Sequence, residues 1–165
     1  MYKKIFYIFI IISSALKADD WPGWFGPERD GVWREEGILD KFPQKGPKTI
    51  WKAPVGRGYA GPAVADGKVY IIDRQIDKGA KSPENPFSKI TIPGNERLLC
   101  LDAKNGKIIW EKSYNCPYSI SYSAGPRTTP SIDDNRVYTI GAEGNLYCRS
   151  TSDGKEIWST DFNTA

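Results

Sequence analysis

Hydrophobic and polar positions alternate along short segments of this chain, and the same alternation occurs twice. The segment GPAVADGKVYII begins at Gly61, and TPSIDDNRVYTI begins at Thr129. In each, two runs rich in β-branched and aromatic residues flank a two-residue turn, at positions 66–67 and 134–135. Asp-Gly and Asp-Asn dipeptides tolerate positive φ and favour hairpins. The pattern therefore predicts two antiparallel strands in each copy.

A second repeated segment follows each hairpin. NERLLCLDAKNGKIIW aligns with EGNLYCRSTSDGKEIW, which places Gly106 on Gly154 and Trp110 on Trp158. Each segment contains two further strand-like runs joined through a glycine turn. Together, one hairpin and the segment that follows it predict a sheet of four antiparallel strands. Four-stranded sheets that recur along a chain are typical of β-propeller blades, because one such sheet buries its faces poorly alone.

The predicted fold is therefore an all-β, incomplete β-propeller. We predict one blade over residues 61–114 and another over residues 128–162, within a repeat region at residues 47–165. A strand at residues 49–55 would belong to a third unit, because its Trp51 precedes the first repeat as Trp110 precedes the second. Propellers typically have 4 to 8 blades. We expect the remaining blades to lie in a longer protein of which this is the N-terminal part.

The first residues have the order of a secretory signal peptide. Lys3 and Lys4 precede the apolar run IFYIFIIIS, and the small residues Ala15 and Ala18 offer alternative cleavage points. We predict that residues 1–18 direct export to the periplasm or the extracellular space. No transmembrane anchor is expected after their removal.

Residues 19–46 form a predicted N-terminal arm with aromatic residues that do not repeat. Two interpretations are open for these side chains. They could cover the hydrophobic end of a blade, which is the preferred interpretation, or they could form a stacking platform for sugars. The aromatic residues are Trp21, Trp24, Phe25 and Trp33.

Composition excludes several classes of function. The chain has a net charge of +3, and its excess of bases lies in Lys3, Lys4 and Lys17 within the predicted signal peptide. The balanced remainder argues against a nucleic-acid partner. The chain contains no His, so it lacks the usual general base and the commonest zinc ligand. No catalytic, cofactor-binding or metal-binding residue is assigned.

The three cysteines differ in position. Cys100 and Cys148 occupy the same place in the two repeats, where we expect buried thiols, because the sheets of adjacent blades pack too far apart for a bridge. Cys116 lies in a connector, and a bridge to a Cys elsewhere in the full protein stays open for it.

The segment LDAKNGKIIW resembles the tryptophan-docking repeat of the pyrroloquinoline-quinone-like (PQQ-like) β-propellers. The arm sequence DWPGWFGPERDGVW also resembles the lead-in arm of secreted members of that superfamily. The resemblance implies that the repeated tryptophans lie between neighbouring blades. The matching positions are Asp102, Gly106, Trp110, Gly154, Trp158 and, upstream, Trp51.

The resemblance implies two alternative functions. The first, which we prefer, is a non-catalytic exported propeller that binds a protein or polymer partner and holds no cofactor in this segment. The second is the N-terminal part of a quinoprotein alcohol or sugar dehydrogenase that uses PQQ and Ca²⁺. The sequence contains no adjacent Cys pair of the kind found in some quinoprotein dehydrogenases, and no cluster of ligands is visible in it.

The long connections fall on one face of the predicted blades. Turns within the hairpins are tight, whereas the long connections are residues 74–94 and 114–128, which antiparallel topology places on the opposite face. Loops on a rigid scaffold are common binding sites. We predict that a partner binds the face bearing Asp77, Lys81, Asn85, Phe87, Asn115, Tyr118, Tyr122 and Arg127.

Overall fold

The computed structural model describes residues 19–164, and within them eight β-strands form two four-stranded antiparallel sheets. No described residue is helical, and the two sheets do not close a ring. The prediction of an all-β fold built from four-stranded antiparallel units is confirmed. The predicted signal peptide lies outside the described residues. No helix within them is long and apolar enough to span a membrane.

Each sheet follows chain order, with every strand antiparallel to the next. The first sheet contains β1 (Ala63–Ala65), β2 (Lys68–Ile76), β3 (Gly94–Asp102) and β4 (Ile108–Asn115). The second contains β5 (Ser131–Asp133), β6 (Arg136–Ile140), β7 (Asn145–Ser150) and β8 (Glu156–Asp161). A register shift occurs between Cys100 and Leu101 and again between Cys148 and Arg149, so even this irregularity repeats.

The repeated turns form where the sequence supplies residues that tolerate a left-handed backbone. Asp66 and Gly67 have φ of 50° and 70° between β1 and β2, and Asp134 has φ of 52° between β5 and β6. Only glycine, and to a lesser degree Asn and Asp, adopts this region readily. These turns fix the register of each hairpin.

The hydrophobic core lies between the two sheets. Tyr70, Leu98, Cys100 and Trp110 of the first sheet are buried with Val137 of the second, and Ile132 packs against this cluster. Tyr70, Leu98 and Cys100 project from the face of the first sheet that packs against the second, as the alternation of side chains along strands requires. Packing of one sheet on the next therefore provides the burial that a single sheet lacks.

The predicted strand at residues 49–55 is not a strand of either sheet. Its residues form no ladder, and pairing begins only at Arg57, which exchanges backbone hydrogen bonds of 3.1 and 2.8 Å with Arg74. A strand needs a neighbouring backbone to satisfy its amides. The partner strands of the predicted third unit are not among the described residues, so this strand stays a prediction.

The N-terminal arm crosses the first strands of both sheets. Trp21 exchanges backbone hydrogen bonds of 2.8 and 2.9 Å with Val64 of β1. The next residue, Pro22, accepts a hydrogen bond of 2.7 Å from the Ile132 amide of β5. The arm thus ties together corresponding edges of the two sheets and covers edge groups that would otherwise be open to pairing with another chain.

Candidate functional site

Two tryptophans lie over glycine turns of the following repeat unit. The indole N–H of Trp51 donates to the carbonyl of Ala103 at 2.8 Å, and that of Trp110 donates to Thr151 at 3.1 Å. A Cβ on Gly106 would lie 2.5 Å from Trp51 Cε3, and a Cβ on Gly154 would lie 2.7 Å from Trp110 Cε3. Both glycines are required, because their φ values, 71° and 69°, are also left-handed.

The turn that receives each tryptophan is shaped by its first residue. In the first sheet, Asp102 accepts the Lys104 amide on its carboxylate at 2.7 Å and the Gly106 amide on its carbonyl at 2.8 Å. In the second sheet Ser150 takes the place of the Asp, and its hydroxyl accepts the Ser152 amide at 3.2 Å. A short polar side chain at this position thus holds the turn in both copies.

Trp158 occupies the equivalent position in the second sheet but stays exposed. It contacts Tyr138 at 6.0 Å and 52°, which matches the contact of Trp110 with Tyr70 at 6.0 Å and 55°. Its exposed fraction is nevertheless 41%, against 9% for Trp110. The difference arises because the Gly154 turn covers Trp110. The docked tryptophans are packing groups rather than ligand contacts.

The long connections carry an exposed aromatic pair. Phe87 and Tyr122 meet edge to face with ring centroids 5.2 Å apart, and they are 67% and 45% exposed. The two connections are joined here, because the Tyr122 amide donates to the Pro86 carbonyl at 2.7 Å. Asn85 supports the turn by accepting the Phe87 amide on its side chain at 3.0 Å.

A polar cleft of about 660 Å³ lies along the first part of the first connection. Asp77 and Lys81 line it, opposite Arg57, whose guanidinium donates to the Ser82 hydroxyl at 2.9 Å. Asn115 and Arg127 are exposed on the second connection, where Arg127 donates to the Ser121 carbonyl at 2.7 Å. The cleft could hold a polar side chain or a small ligand.

Tyr118 does not belong to the exposed surface. It is fully buried, with its phenol donating to Glu96 and the guanidinium of Arg74 stacked 3.4 Å from its ring centroid. The sequence placed it in a connector, but the connector folds inward there because Ile92 and Tyr118 exchange backbone hydrogen bonds of 2.8 and 2.9 Å. Tyr118 supports the loops instead of contacting a partner.

A buried polar network underlies the long connections. The carboxylate of Glu96, which is fully buried, accepts from the phenols of Tyr114 and Tyr118 and from the Ala142 amide of the second sheet at 2.9 Å. Burial and the negative charge of Glu96 raise the pKa of both phenols well above the usual range. The network therefore joins the two sheets at the base of the loops.

Arg74 connects the same network to the loop backbone. It is 1% exposed and donates to the carbonyls of Cys116 and Ile92 at 2.7 Å each. Sequence reasoning missed both Arg74 and Glu96. The available signal was the alternation of side chains, which places Arg74 on the same face as Tyr70 and Ile72. It also places Glu96, opposite Arg74 in the register, on that apolar face, and charges are rarely buried without partners.

The cysteines are three buried free thiols. Cys100 and Cys148 are buried as expected, and Cys116 is also only 3% exposed, with its thiol 3.4 Å from Asn145 Oδ1. Burial raises the pKa of Cys116 to about 12 and that of Cys100 to about 11. A bridge from Cys116 to another part of the protein would require local opening. Among residues 19–164, no three potential ligands from His, Cys, Asp and Glu are grouped for a metal.

Most aromatic side chains of the arm do not pack on the blades. Trp21 packs against the Gly26 turn and pairs with β1, as a covering residue should. Trp24, Phe25 and Trp33 are instead 63%, 54% and 61% exposed. The preferred interpretation of the arm is therefore wrong for these three side chains, because the loop that carries them folds on itself and turns them outward.

A family model matches the C-terminal part of the chain. Residues 94–165 match the model described as outer membrane protein assembly factor BamB. The match begins at β3 and includes the whole second sheet, with the docked Trp110 and its glycine turn. Over these residues the chain is similar to PQQ-like β-propeller repeats. A tryptophan packs on a glycine turn of the next unit at Gly106 of the first sheet and at Gly154 of the second.

This chain spans only a minor part of the length of the proteins that it resembles. A tetrathionate hydrolase of Acidithiobacillus ferrooxidans is 26% identical over an alignment 125 residues long, which covers 68% of this chain and 23% of the hydrolase. A quinohemoprotein alcohol dehydrogenase of Pseudomonas putida HK5 has a TM-score of 0.41 and 23% identity, covering 68% of this chain and 14% of the dehydrogenase. BamB from Moraxella catarrhalis has a TM-score of 0.34 and 14% identity, covering 64% of this chain and 33% of BamB.

Proposed function

We infer that this protein is an exported, non-catalytic PQQ-like propeller module that binds a protein partner through its long connections. The observation that carries this function is the exposed Phe87–Tyr122 pair on loops whose base is a buried polar network.

Large aromatic side chains are a suitable centre for a protein interface. Phe and Tyr are enriched at the core of such interfaces, where they bury much area at a small cost in side-chain entropy. Ile90 of the same connection is also exposed, with 54% of its surface in water. Arg57 and Lys81 are exposed charged groups at the polar cleft along this connection, and charged groups are common at the rim of interfaces.

The loops are pre-organised for binding. Arg74 holds the backbone at Ile92 and Cys116, which lie one in each connection, and Glu96 fixes the Tyr118 side chain beneath them. A partner would therefore gain contact area without ordering the loops first, which preserves affinity. The description of the matching family model, an outer membrane protein assembly factor, also supports a protein partner and a location outside the cytoplasm.

Photocrosslinking in cells that export the full-length protein tests this function. A benzoylphenylalanine at position 87 should crosslink one protein, and the same group at Phe42 of the arm, which is 71% exposed, should not. With the purified partner, Phe87→Ala/Tyr122→Ala should weaken binding at least about tenfold, as expected for hot-spot residues. Phe42→Ala should change affinity less than about twofold.

Two results would contradict the proposal. Equal crosslinking from positions 42 and 87 would show that the aromatic pair is not the interface. Reduction of a redox dye with an alcohol or sugar by the full-length protein, dependent on added PQQ and Ca²⁺, would replace the non-catalytic function with that of a quinoprotein dehydrogenase.

A further inference from the structure

The arm presents aromatic side chains on a folded loop. The Gly26 amide donates to the Gly23 carbonyl at 3.2 Å, and the Gly31 amide donates to the Phe25 carbonyl at 2.9 Å. Gly26 packs so closely on Trp21 that a Cβ there would lie 2.8 Å from the indole ring. The loop is therefore fixed on the blade edge by Trp21, and Trp24 stands out from a rigid base.

This loop and the second sheet enclose a cleft of about 450 Å³. Trp24 and Phe25 line one side, and Ser131 and Asp133 of β5 line the other, with Arg29 at the loop. The volume lies within the range of about 300–1,000 Å³ found for small-molecule sites. The cleft combines aromatic faces with a few hydrogen-bonding groups.

The chemistry of these groups selects the class of ligand. A pyranose has an apolar face formed by its ring C–H groups and an edge of hydroxyls, so it suits an exposed indole beside polar side chains. Asp133 contributes one negative charge and Arg29 one positive charge, which leaves no excess charge to attract an anion or a cation. Carboxylate and guanidinium can accept from and donate to hydroxyl groups.

We propose that this cleft is a carbohydrate-binding site in which a neutral pyranose ring stacks on Trp24 while Asp133 and Arg29 hydrogen-bond to its hydroxyls. This site is separate from the proposed protein-binding pair, because neither Phe87 nor Tyr122 lines it. A propeller with both features would hold a protein partner on its loops and a glycan at its arm.

Titration of the 165-residue chain with cellobiose, maltose and N,N′-diacetylchitobiose tests the site, with indole ¹⁵N–¹H NMR as the readout. At least one disaccharide should shift the Trp24 resonance in a saturable manner. Trp24→Ala should weaken that binding at least about tenfold, because it removes the aromatic face on which the sugar ring stacks. Asp133→Asn should weaken it several-fold.

Trp33→Ala provides the matched control. Trp33 is exposed to a similar degree, 61% against 63%, but it lines a different part of the arm, with Trp21 and Glu35. Its removal should leave disaccharide affinity unchanged, and all three variants should keep the thermal midpoint of the parent within a few degrees. Absence of any saturable shift at Trp24 with the three disaccharides, or equal loss of affinity in Trp33→Ala, would overturn the proposal.

Discussion

The two sheets contain the same elements, but their outer strands differ in environment. Trp110 of β4 is 9% exposed and Trp158 of β8 is 41% exposed, although each meets the tyrosine of its own sheet at 6.0 Å. Of these two tryptophans, Trp110 has a glycine turn of the next unit over its ring, whereas no described glycine turn covers Trp158. The difference shows that a docking tryptophan is stabilised by the next repeat rather than by its own sheet.

Replacement of the two tryptophans should give the largest contrast. Trp110→Ala removes a buried indole and its hydrogen bond to Thr151, so it should lower the free energy of unfolding by about 3–5 kcal/mol. Trp158→Ala should cost about 1 kcal/mol, because much of its surface is already in water. Urea unfolding followed by circular dichroism measures both. Equal losses would contradict the comparison.

A substitution at Gly154 tests the contact between Trp110 and the glycine turn that covers it. Gly154→Ala adds a Cβ 2.7 Å from Trp110 at a φ of 69°, so backbone strain and overpacking should together cost about 2–4 kcal/mol. Gly67→Ala is the matched control, because Gly67 has a φ of 70° and no atom within 4 Å of the added Cβ. It should cost only about 1–2 kcal/mol. If both variants lose the same stability, the Trp110 contact contributes nothing.

The buried polar network should contribute more to the free energy of unfolding than an exposed ion pair does. Glu96→Gln removes the charge that accepts from two phenols and from the Ala142 amide, and should cost about 2 kcal/mol. Glu111→Gln should cost less than about 0.5 kcal/mol, because Glu111 is half exposed and pairs with Arg97 at 3.3 Å. Urea unfolding of both variants at neutral pH measures the two losses of stability. A loss of stability in Glu111→Gln as large as in Glu96→Gln would contradict the larger contribution of the network.

Buried thiols should make the protein less stable in alkali. Burial raises the pKa of Cys116 to about 12 and that of Cys100 to about 11. Above about pH 9 the unfolded chain therefore loses thiol protons that the folded chain keeps, and stability falls as pH rises. Each thiol contributes a slope of about 1.4 kcal/mol per pH unit.

Cys116→Ser separates this contribution from the rest. Serine does not titrate, so the fall of the unfolding free energy between about pH 10 and 11 should become shallower by about 1.2 kcal/mol per pH unit. Below about pH 8 the slope should match that of the parent protein. An unchanged alkaline slope would show that Cys116 ionises equally in both states.

The sequence was sufficient for the parts of the fold that repeat locally. Alternation of side chains and the turn residues at 66–67 and 134–135 determine strands and hairpins within a few neighbouring residues. Residues 49–55 form no ladder among the described residues, because strand formation requires a partner backbone, and the strand of a third unit stays a prediction. Gly154 could be aligned with Gly106, but its contact with Trp110 depends on the packing of separate units.

The loop face and the arm were harder to predict for a related reason. Tyr118 and Tyr122 lie four residues apart in one polar connector, yet one is fully buried and the other is 45% exposed. The difference in burial arises from Glu96, which lies 22 positions away in the sequence and accepts a hydrogen bond from the Tyr118 phenol. Likewise, nothing in the local pattern distinguishes the covering Trp21 from the outward Trp24. Non-local partners decide which aromatic turns inward.

Hydrogen exchange of the indole N–H groups tests the docking of repeats most directly. In the 165-residue chain labelled with ¹⁵N-tryptophan, the Trp51 and Trp110 protons should be protected, because they donate to the carbonyls of Ala103 and Thr151. The Trp158 proton should exchange much faster. Rapid exchange at Trp110, or equal rates at Trp110 and Trp158, would contradict the account in which each repeat is held through the tryptophan of the one before it.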